Sequence, residues 1–320
     1  MSDTKWLIAK IHSGPLFQHW ERDYSVFFCS SWTKAHTGIA NGYRFGNGML
    51  SLTLVCVAQG KSRYYRPEND NELFLDVLAT NMIKNVKLRQ QIFAKYRHFG
   101  NAMFKLFRTI ERGEGVNIRF IKTLASTSDH LVGYQLLIMH RSDSYEHVFA
   151  HRQDILRKIY TLRKKYENAF GLFETHFEML CASIIKKMGT GTAQELKLMT
   201  EKEIITFLKT KKLPNNVLQR EKGVVIRYIP KMQLYFGREA QQILRAIDKN
   251  QHDPRQHKAT PILKGTTAFG SGILRGRCTV ITDYGRIPHF PKGAILVTPS
   301  TLPKLNRWYA KAKAIITDEG

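Results

Sequence analysis

The side chains able to do chemistry are dispersed along this chain. Among its twelve histidines, His147 and His151 stand four apart, a spacing that puts two imidazoles on one face of a helix. No acidic third ligand follows at metal-site spacing, so the sequence assigns no metal. Cys29, Cys56, Cys181 and Cys278 are widely separated and form no C-x-x-C pair. They read as reduced, buried thiols with neither a disulfide nor a metal role. Gly38, Gly42, Gly46 and Gly48 crowd a polar stretch as a phosphate loop would, but the order G-x-x-x-x-G-K-[ST] is missing. A loop between two strands is the reading, and Trp32, His36, Tyr43 and Arg44 in or beside it can line a small-molecule pocket. His289 lies between Pro288 and Pro291 and lacks the glycines and hydroxyl that would admit a phosphate, so it reads as a solvated turn residue.

The elements that would position these residues give an α+β chain. Residues 1–70 read as a small β-rich part, with strands at 6–11, 24–30 and 49–57. Residues 71–248 read as helical. Apolar side chains recur three or four apart from Phe74 to Ile110, ending at Gly113 and Gly115, and a second helix is placed from a cap at Ser128-Asp129. The clearest stripe runs from Ile155 to Met188, with Gly171 inside it marking a kink or a close helix contact. Two capping boxes, Thr192-x-x-Glu195 and Thr200-x-x-Glu203, start two short helices. A strand pair at 224–229 and 232–236 and a helix at 238–247 follow, and the polar run 249–261 reads as a linker.

Charge is the one compositional extreme. Fifty Lys and Arg face 26 Asp and Glu, a formal net charge of +24. Such a field attracts nucleic acid or phosphorylated metabolites. The cations form no tail and are spread over many elements, which favours solvated basic faces over a dedicated nucleic-acid site. No apolar run approaches the ~20 residues that span a bilayer, and no signal-peptide core precedes Lys10. The expectation is a cytoplasmic protein without a membrane partner.

Residues 262–320 carry three β-branched runs separated by glycine, proline and one helical turn. Gly270, Gly272 and Gly276 open the unit, Pro291-Lys292-Gly293 turns it, and Pro299 is expected to end the second strand. Thr301 before Pro303 caps a helix containing Trp308. The order Gly272-x-x-x-Gly276, then 292–298 (KGAILVT), Thr301-x-Pro303 and 312–320 (AKAIITDEG) resembles the mobile phosphohistidine domain of phosphoenolpyruvate-utilising enzymes. Phosphoenolpyruvate synthase, pyruvate phosphate dikinase and the rifampicin phosphotransferases belong to that group. Leu302 stands where the family usually has Asp, and Phe269-Gly270-Ser271-Gly272 where it has an Ala-Ser-Pro-Gly-like opening. Residues 196–247 are similar, more loosely, to the region preceding that domain.

The resemblance implies a swivelling domain of β/β/α type at 262–320, truncated before the catalytic histidine, with residues 71–248 as a linking or acceptor-binding region. Thr317, Asp318, Glu319 and Gly320 would approach the phosphohistidine loop, and the histidine itself would follow Gly320. No catalytic residue is therefore assigned within the chain. The resemblance also implies ATP and Mg2+ for the full system, bound by an ATP-grasp domain on another or missing segment and not by this chain. An apolar face of the small sheet would stay open. A non-catalytic swivelling relative used for binding or regulation and a basic nucleic-acid-binding protein are the alternative readings.

Overall fold

The computed structural model describes residues 3–42, 52–67, 82–139, 152–166, 168–215, 217–228, 232–251, 272–281, 290–300 and 306–319. Two compact units result, Met1–Thr260 and Pro261–Gly320. In the first, five strands form an antiparallel sheet in the order β1-β3-β2-β4-β5, with β1 Leu16–Arg22, β2 Leu54–Ala58, β3 Lys61–Pro67, β4 Val224–Tyr228 and β5 Met232–Phe236. The N-terminal strands and the 224–236 pair, placed in separate parts by the sequence reading, share one sheet because β2 pairs with β4. Alternation decides the layering. Val55, Val57, Val224 and Ile226 join the large helical core on one face. Leu54, Cys56 and Val225 meet Leu7, Ile11, Ile243 and Ile247 on the other. Both faces are covered, so these strands read as continuous apolar runs.

Two expected strands are helices. Residues 6–11 belong to α1, Asp3–His12, whose Thr4, Leu7 and Ile11 are buried at three- and four-residue spacing. Residues 26–30 begin α2, Val26–Gly42. Val26, Phe27 and Phe28 suit strands by type, but Ser25 accepts from the Phe28 amide at 3.3 Å, and the Cys29 amide donates to the Ser25 carbonyl. Val26 to Cys29 are all buried, so packing around the whole first turn outweighs propensity. Gly38 and Gly42 therefore lie in a helix and not in a loop; Gly46, Gly48, Tyr43 and Arg44 lie outside the described residues. The polar run 61–67 had given no strand signal. It is β3, turned back on β2 by Gln59 and Gly60 at φ 53° and 72°, the positive pair that a tight type I′ hairpin needs.

The helices follow their periodicity more closely than their expected caps. Helix α3, Val86–Glu111, is capped by Asn85, whose side chain accepts from the Leu88 amide. Helix α4 runs Ile118–Met139, so the expected start at Ser128-Asp129 is wrong by ten residues. Asn117 accepts from the Phe120 amide at its true start, and Ser128 bonds back to the Leu124 carbonyl in mid-helix. The long stripe is two helices, α5 Gln153–Tyr166 and α6 Asn168–Met188. Gly171 lies in the first turn of α6, where an added Cβ would meet nothing closer than Asn168 Oδ1 at 3.8 Å. The close helix contact is instead at Gly100 of α3, against the Tyr166 ring. Helix α7, Ala193–Lys197, shows the full Thr192/Glu195 capping box, and Glu203 accepts from both the amide and hydroxyl of Thr200 ahead of α8, Glu201–Thr210.

Helix α9, Gly237–Gln251, returns the chain to its start. Buried Asn250 accepts from the Leu16 amide at 3.0 Å and donates to the carbonyls of Ile11 and Gly14. Asp3 at the head of α1 is bonded by Arg227 and Tyr235 of the strand pair, and Trp6 lies under the Arg227 guanidinium at 4.9 Å.

The second unit is a three-stranded parallel sheet, order β6-β7-β8, with β6 Cys278–Val280, β7 Ile295–Ser300, the helical turn α10 Asn306–Tyr309 and β8 Ala314–Glu319. Gly293 at φ 80° closes the turn from Pro291, whose carbonyl accepts from the Ala294 amide. Pro299 does not end β7, which pairs on through Ser300 with Glu319. Strand β6 pairs only as far as Val297, so Pro299 lies where β7 has β8 alone as a neighbour. One sheet face carries Leu296 and packs with Ile281 and Phe290 against Trp308 and Tyr309. On the other, Val280, Val297 and Ile316 align in register, with Val280 60% and Ile316 47% exposed. The whole is therefore an α+β protein with one antiparallel and one parallel sheet.

Candidate functional site

A parallel sheet brings all its carboxyl ends to one edge, where open α/β sheets hold their ligands. In the small sheet that edge carries Thr298 opposite Thr317 and Ser300 opposite Glu319. Thr298 is 2% exposed and Thr317 half-buried. By backbone register the two strands thus bring residues of hydroxyl type side by side near this edge, and Asp318 and Glu319 follow at the end of β8. Gly320 lies outside the described residues. Thr317, Asp318 and Glu319 are the last residues of β8, the strand parallel to β7.

The other sequence candidates do not assemble into a site. Trp32 is buried among Trp20, Phe28 and Phe170, at ring separations of 5.1, 6.5 and 6.0 Å, so it is core and not pocket lining. His36 is on α2, and His147, His151 and His289 lie outside the described residues. Among the described residues no group of three or more His, Cys, Asp and Glu could hold a metal, and no helix is long and apolar enough to cross a membrane. The cysteines are free; Cys29, Cys56 and Cys181 are buried, while Cys278 is exposed, contrary to expectation. Burial raises the thiol of Cys56 to about 12 and that of Cys29 well above its ordinary value, which removes thiolate reactivity.

Two titratable clusters escaped sequence reasoning because their members lie far apart in the chain. Glu174 of α6 accepts from the amide and hydroxyl of Ser25 at 2.8 and 2.9 Å, pinning the start of α2. Its second oxygen is buried without a partner, and burial pushes the carboxyl up to about 7. The native state then holds a proton between about 4.5 and about 7 that the unfolded chain has released, so stability falls as pH rises through that window. The loss is at most about 3 kcal/mol. Glu174→Gln keeps the acceptor for Ser25 and is expected to flatten the decline in urea melts between pH 4.5 and 7.5. An unchanged slope would show that Glu174 titrates normally.

The second cluster joins α3 to α6. His176 Nε2 meets Glu111 Oε1 at 3.0 Å, Nδ1 meets the Leu172 carbonyl at 2.8 Å, and the ring stacks on Phe107 at 4.1 Å. Both ring nitrogens thus face an oxygen, and these contacts with the Phe107 stack fix the position of the imidazole between α3 and α6.

No protein-family model matches the chain, and no curated protein or solved structure matches it either.

Proposed function

We propose that this chain is part of a phosphotransferase that relays a phosphoryl group through a phosphohistidine, with residues 262–320 belonging to the carrier domain and the histidine following Gly320. The observation that carries the reading is the placement of Thr317-Asp318-Glu319 at the carboxyl edge of a parallel sheet, beside Thr298 and Ser300. Residues that continue from β8 enter a loop at that edge, where hydroxyl donors and backbone amides can meet a phosphate. The sequence order from Gly272 to Gly320, which resembles the mobile domain of phosphoenolpyruvate-utilising enzymes, supplies the rest. ATP and Mg2+ are then bound by an ATP-grasp domain outside this chain, and a small carrier that visits two sites explains the division at Thr260 and Pro261.

The test is labelling with radioactive ATP or phosphoenolpyruvate, in the presence of the nucleotide-binding partner. The 320-residue chain should take up no acid-labile, base-stable label, and the chain extended through its downstream codons should. Label on the shorter chain would place the carrier among the histidines already present.

A further inference from the structure

We propose that the groove between α3 and α6 binds a small ligand made of a flat apolar body and a carboxylate. The groove is a cavity of about 540 Å³, within the range of ligand pockets. Its wall on α3 is formed by Asn101, Phe104, Lys105, Arg108 and Glu111 with buried Phe107 at its floor, and α6 adds Leu172 and His176. Beside the apolar packing face of α3, which carries Gly100, Met103, Phe107 and Ile110, this strip turns from the half-buried Phe104 ring to two exposed cations.

The polar groups are disposed for an anion. Neither Lys105 nor Arg108 has a carboxylate partner among the described residues. Glu111, which also lines the groove, meets His176 Nε2 through Oε1 at 3.0 Å. Asn101 receives the Tyr166 hydroxyl on Oδ1 at 3.0 Å, which leaves its amide N–H groups to donate. The Arg108 guanidinium can take a carboxylate with two parallel N–H bonds, Lys105 adds a point charge, and Phe104 offers an aromatic surface for the body of the ligand. Glu111 and His176 close one end as a held pair. The site is independent of the carboxyl edge of the small sheet and of the phosphotransfer reading.

The test is isothermal titration calorimetry of the full chain with 2-naphthoate and with its neutral counterpart 2-naphthalenemethanol. Naphthoate should bind about tenfold more tightly than the alcohol. The double variant Lys105→Gln/Arg108→Gln, at exposed positions, should lose that advantage while binding the alcohol unchanged. Arg119→Gln/Lys122→Gln, in the open basic depression on α4, controls for the general pull of a +24 chain and should bind naphthoate as the parent does. Equal weakening by both double variants, naphthoate binding no tighter than the alcohol, or no binding of either probe would overturn the proposal.

Discussion

Arg220→Ala should destabilise the first unit by about 3 kcal/mol. Arg220 is 6% exposed on the 3-10 segment Val217–Lys222. It donates through Nη1 to the Leu198 carbonyl at 2.9 Å and to Glu203 Oε2 at 2.8 Å, and through Nη2 to Glu203 Oε1. Its guanidinium also lies over Phe236 at 5.5 Å. One side chain thus ties the end of α7, the start of α8 and the edge strand β5. Removing it strands a half-buried carboxylate and an orphan carbonyl, and that penalty, not the net worth of the pair, sets the magnitude.

The pH dependence separates this account from simple loss of packing. Burial alone would raise the Glu203 carboxyl, but the Arg220 hydrogen bonds and the Thr200 donors outweigh it and hold the group below its ordinary value. A depressed carboxyl contributes stability above its unfolded value that is lost as pH falls through the folded one. The parent should therefore lose stability on acidification where Arg220→Ala does not. Urea melts at pH 7 and pH 3.5 measure both quantities; a loss under about 1 kcal/mol with an unchanged acid limb would refute the role given to Arg220.

Gly100→Ala should be the most damaging small substitution in the helical layer. An ideal Cβ at Gly100 would sit 2.3 Å from Tyr166 Cδ1 and 2.7 Å from Cγ, far inside contact distance. The ring has nowhere to go. Tyr166 is fully buried, its edge packs on Tyr96 at 5.4 Å, and its hydroxyl is held by Asn101. Overpacking of this kind costs about 1 to 3 kcal/mol or more, against about 1 kcal/mol gained from helix propensity, so a net loss of about 2 kcal/mol is expected. Tyr166→Leu in the same chain should relieve the clash, making the double variant more stable than the sum of the two single changes predicts. Additive losses would mean that α3 and α5 part freely at this point.

These two sites show what the sequence could convey. Arg220, Thr200 and Glu203 were visible as local signals, a capping box and a lone arginine. Their union was not, because it joins residues 17 and 22 positions apart through the Arg220 side chain. Periodicity placed the end of α3 and the outer ends of α5 and α6, since apolar spacing at three and four residues is a local property of the chain, while the part of the first stripe from Phe74 to 81 lies outside the described residues. It could not locate the break between Tyr166 and Asn168, because the apolar stripe continues across it. The N-terminal misreading has the same origin. Aromatic and β-branched residues at 26–28 suit a strand or an all-round buried helix, and only the layer into which they pack decides. The polar strand β3 has no pattern of its own and exists because β1 and β2 flank it. In the small unit, by contrast, glycine turns and short β-branched runs marked the three strands. Their parallel pairing, which brings the ends of β7 and β8 to one edge, had no local signal. The Glu174 and His176 clusters had none either, since each joins residues 65 or more positions apart.

The central claim is that the carboxyl edge of β8 leads into a phosphohistidine loop. The most direct measurement is to label the chain extended past Gly320 with its nucleotide-binding partner and ATP, digest it, and map the phosphoryl group by mass spectrometry at neutral pH. The account places the label on a histidine in the peptide that follows Lys313, acid-labile and base-stable, and abolished when that histidine is replaced by asparagine. Label that maps to His176, to His289 or to a hydroxyl side chain, or an extended chain that takes up none, would contradict it.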